Sequence, residues 1–466
     1  MSLSTTSHEH AIVLGASMAG LLAARVLSET FERVTILERD ALPTAAEPRL
    51  GVPQSRQAHL LLPGGAQVIE SLFPGFLSDL KAMNVPVLRT CREIKFIVGG
   101  HTLSQEGVIE DPTYQPSRPL LERQLRARLE RLPNVALIDR CDVVGLHTTP
   151  NGRIPRVTGV NVVQRRSGSA AEVRAADLVV DATGRRSRVP EWISALGCTP
   201  PAKSELRVDL KYVSQTLRLQ EGALGELQLY LHGPVPGNPR GMVLIRQEND
   251  HWKLLVFGYG THRPSADPLR HREFVAHVAP PEVLRAIQQA EALDAPVGHG
   301  FPSNLRRHYE KLTDFPTGLL VIGDAACSFN PLYAQGMSVA ALQAMALRKS
   351  LAGNHRTLAR RYFRAAAKPI GVAWQTAIGG DLALPEVEGE RTLATRLAER
   401  YVSRIQAAAE TDPFVARTFL RVSAFMEPPS RLFSPRMLRR VLRPPTQIPP
   451  HDPKIGDTST HVTHAL

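Results

Sequence analysis

The segment Gly15-Ala16-Ser17-Met18-Ala19-Gly20 constrains this chain more than any other. It stands between a short apolar run, Ala11-Ile12-Val13-Leu14, and a stretch with apolar residues at helical spacing, Leu21, Leu22, Ala24 and Leu27. That pattern predicts a strand buried on both faces, a glycine turn and a helix. Val34-Thr35-Ile36-Leu37 restores the buried-strand pattern and ends at Glu38-Arg39-Asp40. Together these make a βαβ unit whose helix N-terminus offers amides and partial positive charge to a pyrophosphate. Glu38 stands at the offset of about 20 residues where a carboxylate accepts from ribose hydroxyls. Ser17 replaces the second glycine; it is small enough to let a phosphate approach and brings a hydroxyl. Tight packing of a helix on a strand demands the same small residues, so the fingerprint points to a dinucleotide only with Glu38 and both strands beside it.

Buried-strand character returns at Val135-Ala136-Leu137-Ile138, at Asp177-Leu178-Val179-Val180 and at Leu319-Leu320-Val321-Ile322. Helical spacing runs from Pro119 to Arg131 and from about Gln335 to Leu351. The alternation predicts an α/β fold around a parallel, doubly wound sheet. Between Glu205 and Gly260 the period drops to two, as in Leu206, Val208 and Leu210 against Arg207, Asp209 and Lys211. Such alternation predicts antiparallel strands with one wet face. Gly241 to Ile245, Glu248-Asn249-Asp250 and Trp252 to Phe257 read as a hairpin with a polar turn.

The expected organisation is therefore a discontinuous cofactor domain over residues 8–90, 111–200 and 303–355, with a mainly antiparallel substrate sheet over 91–110 and 201–302. Ala- and Arg-rich helical spacing fills 356–443, and Pro-Pro pairs with Thr-Ser-Thr predict a loose tail over 444–466.

A chain of 466 residues exceeds what one hydrophobic core supports. Its net charge of +12 favours anionic partners, but the Lys and Arg are scattered and no nucleic-acid module is present, so no nucleic-acid partner is expected. Cys91, Cys141, Cys198 and Cys327 form no CxxC pair, and His8 with His10 lacks a third ligand, which argues against a disulfide framework and a metal. Without a basic leader or a long apolar run the expected place is the cytoplasm. Phe425 to Leu442 mixes apolar residues with arginines but is interrupted by Pro428, Pro429 and Pro435. Packing on the protein's own surface is the preferred reading; weak contact with an anionic membrane is the alternative.

Two further segments carry chemistry. In Gly323-Asp324-Ala325-Ala326-Cys327-Ser328-Phe329-Asn330-Pro331, continuing to Gln335-Gly336-Met337, a carboxylate follows a buried strand and backbone amides open a helix. Asp324 either accepts from a sugar or ribityl hydroxyl or caps a turn. In Asp181-Ala182-Thr183-Gly184-Arg185-Arg186-Ser187-Arg188 the cations either approach phosphates or face water.

In their order these segments resemble the flavoprotein hydroxylases of the p-hydroxybenzoate hydroxylase type, from Ala11 to about Leu351. The resemblance is nearest to bacterial FAD-dependent monooxygenases of natural-product pathways, including polyether-type epoxidases and more distantly squalene epoxidase. Gly51-Val52-Pro53-Gln54-Ser55-Arg56-Gln57-Ala58-His59 resembles the family's loop near the flavin, Ser117-Arg118-Pro119-Leu120-Leu121-Glu122 its helix start, and Arg306-Arg307-His308-Tyr309 the segment before its last strand.

The resemblance implies a Rossmann-like FAD domain of the glutathione-reductase type. Gly15, Ser17, Met18, Ala19 and Gly20 would meet the pyrophosphate, Glu38 the ribose, and Arg39, Arg56 and Arg118 further parts of FAD. Asp324 would bind the ribityl or pyrophosphate end, Pro331, Gly336 and Met337 would flank the ring, and Val143, just past a predicted strand, would contact adenine. Reduced FAD would form a C4a-hydroperoxide with O2 and transfer one oxygen to an alkene or an aromatic ring of a lipophilic substrate.

Two departures are visible: Asp181-Ala182 stands where the family commonly reads Asp-Gly, and Ala334 replaces a glycine of the flavin-side loop. The first leaves open whether NADPH or NADH reduces the flavin directly or through a separate reductase. No catalytic residue is singled out, and Tyr212, Arg246 and His251 of the sheet read as ordinary core or surface residues. The rivals are an alkene reductase of the geranylgeranyl type and a non-catalytic flavin-binding or sensing protein. Trp192, Trp252 and Trp374 are too dispersed for a flavin halogenase motif.

Overall fold

The computed structural model describes residues 8–49, 51–165 and 170–442; the predicted tail 444–466 lies outside them. Strands β1 (His8–Leu14) and β2 (Phe31–Leu37) flank helix α1 (Met18–Leu27). Strand β3 (Ile94–Val98), helix α2 (Arg118–Leu129) and strands β4 (Val135–Ile138), β5 (Cys141–Thr149) and β6 (Leu178–Asp181) follow. Next come β7 (Lys203–Arg218), β8 (Leu229–His232), β9 (Arg240–Arg246), β10 (Trp252–Tyr259), β11 (Val297–Arg307) and β12 (Leu319–Val321). Helices α3 (Gly336–Leu351), α4 (Leu358–Leu382), α5 (Leu393–Ala408), α6 (Pro413–Ser423) and α7 (Pro435–Val441) complete the described chain.

The parallel sheet has the order β12-β6-β1-β2-β4. Val13 is opposite Val180 on one side and Ile36 on the other, with every pairing parallel. Ala11 to Leu14 are fully buried because layers cover both faces. Helices α1 and α3 lie against each other, and a three-stranded antiparallel sheet containing β5 shares the same core through Val157, Val160 and Val162. Val143, shortly past β4 as the sequence suggested, stands inside β5, opposite Val162.

The second sheet runs, after a short Cys327–Ser328 strand, in the order β11, β7, β10, β9, β8, β3 and ends at His101–Thr102. Its pairings are antiparallel except that of β8 with β3. The expectation of one wet face fails at its centre, where β10 is buried at every position. One face packs Leu210, Tyr212, Val243, Ile245, Leu255 and Phe257 towards the cofactor half. Helices Pro268–Val278 and Pro281–Gln288 bury the other through Val213, Met242, Leu244, Leu254 and Val256. The continuous apolar run from Trp252 carries that signal, whereas the alternation at Leu206 to Lys211 belongs to one end of β7, where a bulge sets Asp209 at φ 46°.

The Phe425 to Leu442 stretch packs on the protein itself. Met437 and Ile405 are fully buried in one cluster with Leu103, partly covered by Phe96 and Val98. Among the described residues no helix is long and apolar enough to cross a membrane.

Candidate cofactor site

Gly15 turns out of β1 at φ 97°, in the left-handed region, and its amide donates to Leu37 O at 2.8 Å. A Cβ on Gly20 would stand 1.9 Å from Gly15 O, so α1 can start this close to the turn only without a side chain there. Ser17 is the N-cap of α1 but caps nothing. Its Oγ donates to Glu122 at 2.6 Å and accepts from Arg118 Nη2 at 2.9 Å, which leaves the first amides of the helix free of any side-chain acceptor.

Glu38 closes the turn from the other side. Its carboxylate accepts from the amides of Ala16 at 2.8 Å and Asp40 at 3.0 Å. Arg49, absent from the sequence expectations, spans three carboxylates, at 2.9 Å from Glu38, 3.4 Å from Glu122 and 3.6 Å from Asp40, and its Nη2 also donates to Ala16 O. Glu122 is buried; burial opposes its ionisation, but the Arg118 and Arg49 guanidiniums outweigh it and hold the carboxyl below its ordinary range. Arg49 itself is raised, because these carboxylates outweigh its burial.

Asp324 follows β12 in a short helical turn, enclosed by the fold yet with its side chain facing open space, and without a hydrogen-bond partner among the described residues. Burial raises its carboxyl, opposed by the charges of Arg118 and Arg185. Pro331 and Gly336 are exposed, Met337 is buried, and a Cβ on Gly336 would meet nothing within 4 Å. Helix α3 starts at Gly336 with no side-chain cap. Ala334, where the family's glycine would stand, takes φ 53°, a conformation that favours glycine.

The loop over residues 51–59 reaches the second sheet, where Ser214 Oγ donates to Arg56 O at 3.0 Å. The Arg56 side chain is exposed, as is that of Arg39 at the end of β2. His59 lies deep in this region; burial first and Arg118 second push its imidazole down to about 3, so it is neutral at physiological pH. Its Nδ1 is 2.9 Å from Gln57 O, which makes that nitrogen the donor. Gln57 is buried with both amide atoms unpartnered, as are Gln335 Oε1 and Ser338 Oγ at the start of α3.

Asp181 accepts from Thr183 and Ser187 and is fully buried, so it shapes the turn. Arg185 neither faces water freely nor joins the glycine turn: it donates to Ser303 O at 2.5 Å and to Ser303 Oγ at 2.6 Å, tying that turn to β11. Tyr212 packs against His299 with ring centroids 5.4 Å apart and the rings tilted by 48°, and burial keeps the phenol protonated and the imidazole neutral.

The structure thus brings the glycine turn, Glu38, Arg118 and Asp324 to one side of the apolar sheet, with Gly336 and Met337 at the head of α3. Residues 9–363 match the FAD binding domain family. The chain belongs to this family, within the p-hydroxybenzoate hydroxylase-like flavoproteins. This flavoprotein is 37% identical over 426 residues to protein Rv3254 of Mycobacterium tuberculosis, covering 89% of each chain. It is 25% identical over 418 residues to a kynurenine 3-monooxygenase of Salinispora tropica, covering 88% of this chain and 85% of that one. Its fold matches p-nitrophenol 4-monooxygenase PnpA of Pseudomonas putida with TM-score 0.63 at 17% identity, over 91% of this chain and 99% of that one.

FAD fits the residues present: two uncapped helix starts, an accessible carboxylate without a partner among the described residues and unpartnered side-chain amides offer acceptors and donors to its phosphates, ribityl chain and ring. As a member of this family the chain is an FAD-dependent oxidoreductase.

Proposed function

We propose that this flavoprotein is a monooxygenase that inserts one oxygen atom from O2 into a lipophilic alkene or aromatic natural product, with NADPH or NADH as the electron source. The observation that carries the reading is the apolar wall of the second sheet. Leu229, Val243, Ile245, Leu255 and Phe257 face the cofactor half, and Leu332 of the loop before α3 packs into the same cluster. A wall of this kind selects an apolar substrate and excludes water from the reacting centre.

In this reading the amides from Ser17 to Gly20 hold the pyrophosphate, with Gly15 making the turn. Glu38 meets the ribose, and Arg118 with the exposed Arg39 and Arg56 supplies positive charge. Val143 lies near adenine, Asp324 accepts from the ribityl chain, and Pro331, Gly336 and Met337 lie beside the ring. When bound, FAD supplies the redox and oxygen chemistry. The protein's part is to position it. His59, pushed down to about 3, stays neutral and is a poor proton acceptor, whereas Tyr212, protonated, can donate a hydrogen bond from the wall.

The test is rapid mixing of anaerobically reduced, FAD-loaded protein with 18O2, with and without polyenes and phenols, following flavin absorbance and product mass. Substrate-dependent acceleration of flavin reoxidation with one 18O in the product supports the reading. Reoxidation indifferent to every candidate, with alkene saturation under anaerobic conditions, replaces it with a reductase.

A further inference from the structure

Asp381, in the last turn of α4, is fully buried and takes no part in the site described above. Its Oδ1 accepts from Asn330 Nδ2 at 2.8 Å and from the hydroxyls of Tyr333 at 3.1 Å and Tyr259 at 3.2 Å. Its Oδ2 accepts from Asn304 Nδ2 at 2.6 Å. The donors come from β10, from β11 and from the loop that leads into α3. All are neutral, and no cation pairs with Asp381 among the described residues. Burial accordingly pushes its carboxyl up to about 6.

The loop is fastened at two points to this one carboxylate and at others to the residues around it. Asn330 donates a second hydrogen bond from Nδ2, to the Tyr259 hydroxyl at 2.8 Å, and its amide donates to Asn304 Oδ1 at 2.6 Å. Its own Oδ1 accepts from the Leu332 amide at 3.0 Å. Tyr333 reaches Asp381 because position 380 is glycine: a Cβ there would stand 2.2 Å from the Tyr333 oxygen. Between Tyr333 and α3 lies Ala334 at φ 53°, a backbone state that persists where its surroundings over-determine it.

A buried carboxylate held by neutral donors is a poor way to gain stability, since an apolar side chain of similar volume avoids its desolvation. What it supplies is directional fixing of a segment with little regular structure of its own. We propose that Asp381 is a positioning residue that fixes loop 330–337 in the shape that presents the Gly336 and Met337 amides to the flavin. The proposal rests on the FAD reading of that loop.

Full-length wild type, Asp381→Asn and Tyr333→Phe are compared by hydrogen exchange without FAD, by FAD titration and by flavin reduction potential. Both variants should exchange about tenfold faster within 330–337, bind FAD about tenfold more weakly and shift the potential, as expected for a lost hydrogen bond to a charged acceptor. Unchanged exchange in that loop overturns the proposal. Faster exchange with unaltered FAD affinity and potential means that the loop is fastened but does not receive the flavin, which overturns both the proposal and the reading beneath it. A uniform rise over β10, β11 and the loop, again with FAD affinity unaltered, marks a merely structural carboxylate and also overturns it. If Asp381→Asn does not fold, Tyr333→Phe decides alone, because it removes one loop anchor and leaves Asp381 three donors.

Discussion

Two buried carboxylates show how far apart one fold can drive the same chemistry. Glu122 sits against Arg118 and Arg49 and is held below its ordinary 4.5, so it stabilises the protein above that pH and the contribution disappears as pH falls through its lowered value. Asp381 faces Asn304, Asn330 and the hydroxyls of Tyr259 and Tyr333, and is raised from 3.8 to about 6. Its folded state binds the proton more tightly than the unfolded chain, so its ionisation costs stability as pH rises through that window, by about 3 kcal/mol in all. Urea unfolding of wild type and Asp381→Asn from about pH 4 to about pH 7 should move the free-energy gap by roughly that amount in the variant's favour; a gap independent of pH refutes the assignment. Neither environment was legible beforehand. Ser17 could be read as a tolerated replacement for glycine, but its partners Arg118 and Glu122 stand 101 and 105 residues away.

The starts of α1 and α3 carry the same local signature, a small residue after a buried strand and a loop, yet the two glycines do different work. Gly20 touches the backbone of the turn, and its replacement by Ala should cost several kcal/mol, roughly as an overpacked core does, read as a lower unfolding midpoint with or without FAD. Gly336 has open space beside it, so Gly336→Ala should leave unfolding within about 1 kcal/mol of wild type, or raise it slightly through the lost chain entropy of glycine. FAD affinity should nevertheless fall. If Gly336→Ala keeps wild-type FAD affinity, the amides of α3 do not face the cofactor. At this scale periodicity located the elements to within about three residues: α3 begins at Gly336 with Gln335 as its N-cap, β6 runs Leu178–Asp181 against an expected Asp177 start, and β1 and β2 begin at His8 and Phe31 against expected starts at Ala11 and Val34. It misjudged the centre of the second sheet, because a period of two at one end of β7 says nothing about helices that arrive later in the chain to cover β9 and β10.

At the scale of the molecule, the C-terminal helices complete the fold. Met437 is buried against elements that include the strand end at Leu103, more than 300 residues earlier in the sequence. Met437→Ala should therefore cost about 2–5 kcal/mol, seen as early melting of α5 to α7 by hydrogen exchange; exchange unchanged there would mean the segment is not part of the core. The sequence by itself determined the α/β character, the glycine turn and its acidic partner at Glu38, because these depend on residue type and short-range period; the flavoprotein family was legible through the resemblance of its motifs. Tertiary structure alone decided that Arg49 would bridge three carboxylates, that Arg185 would tie the second turn to β11, and that Asp381 would gather four donors. Those arrangements join groups from distant parts of the chain. They are set by which surfaces pack together, and no local pattern of hydrophobicity or spacing encodes such a meeting.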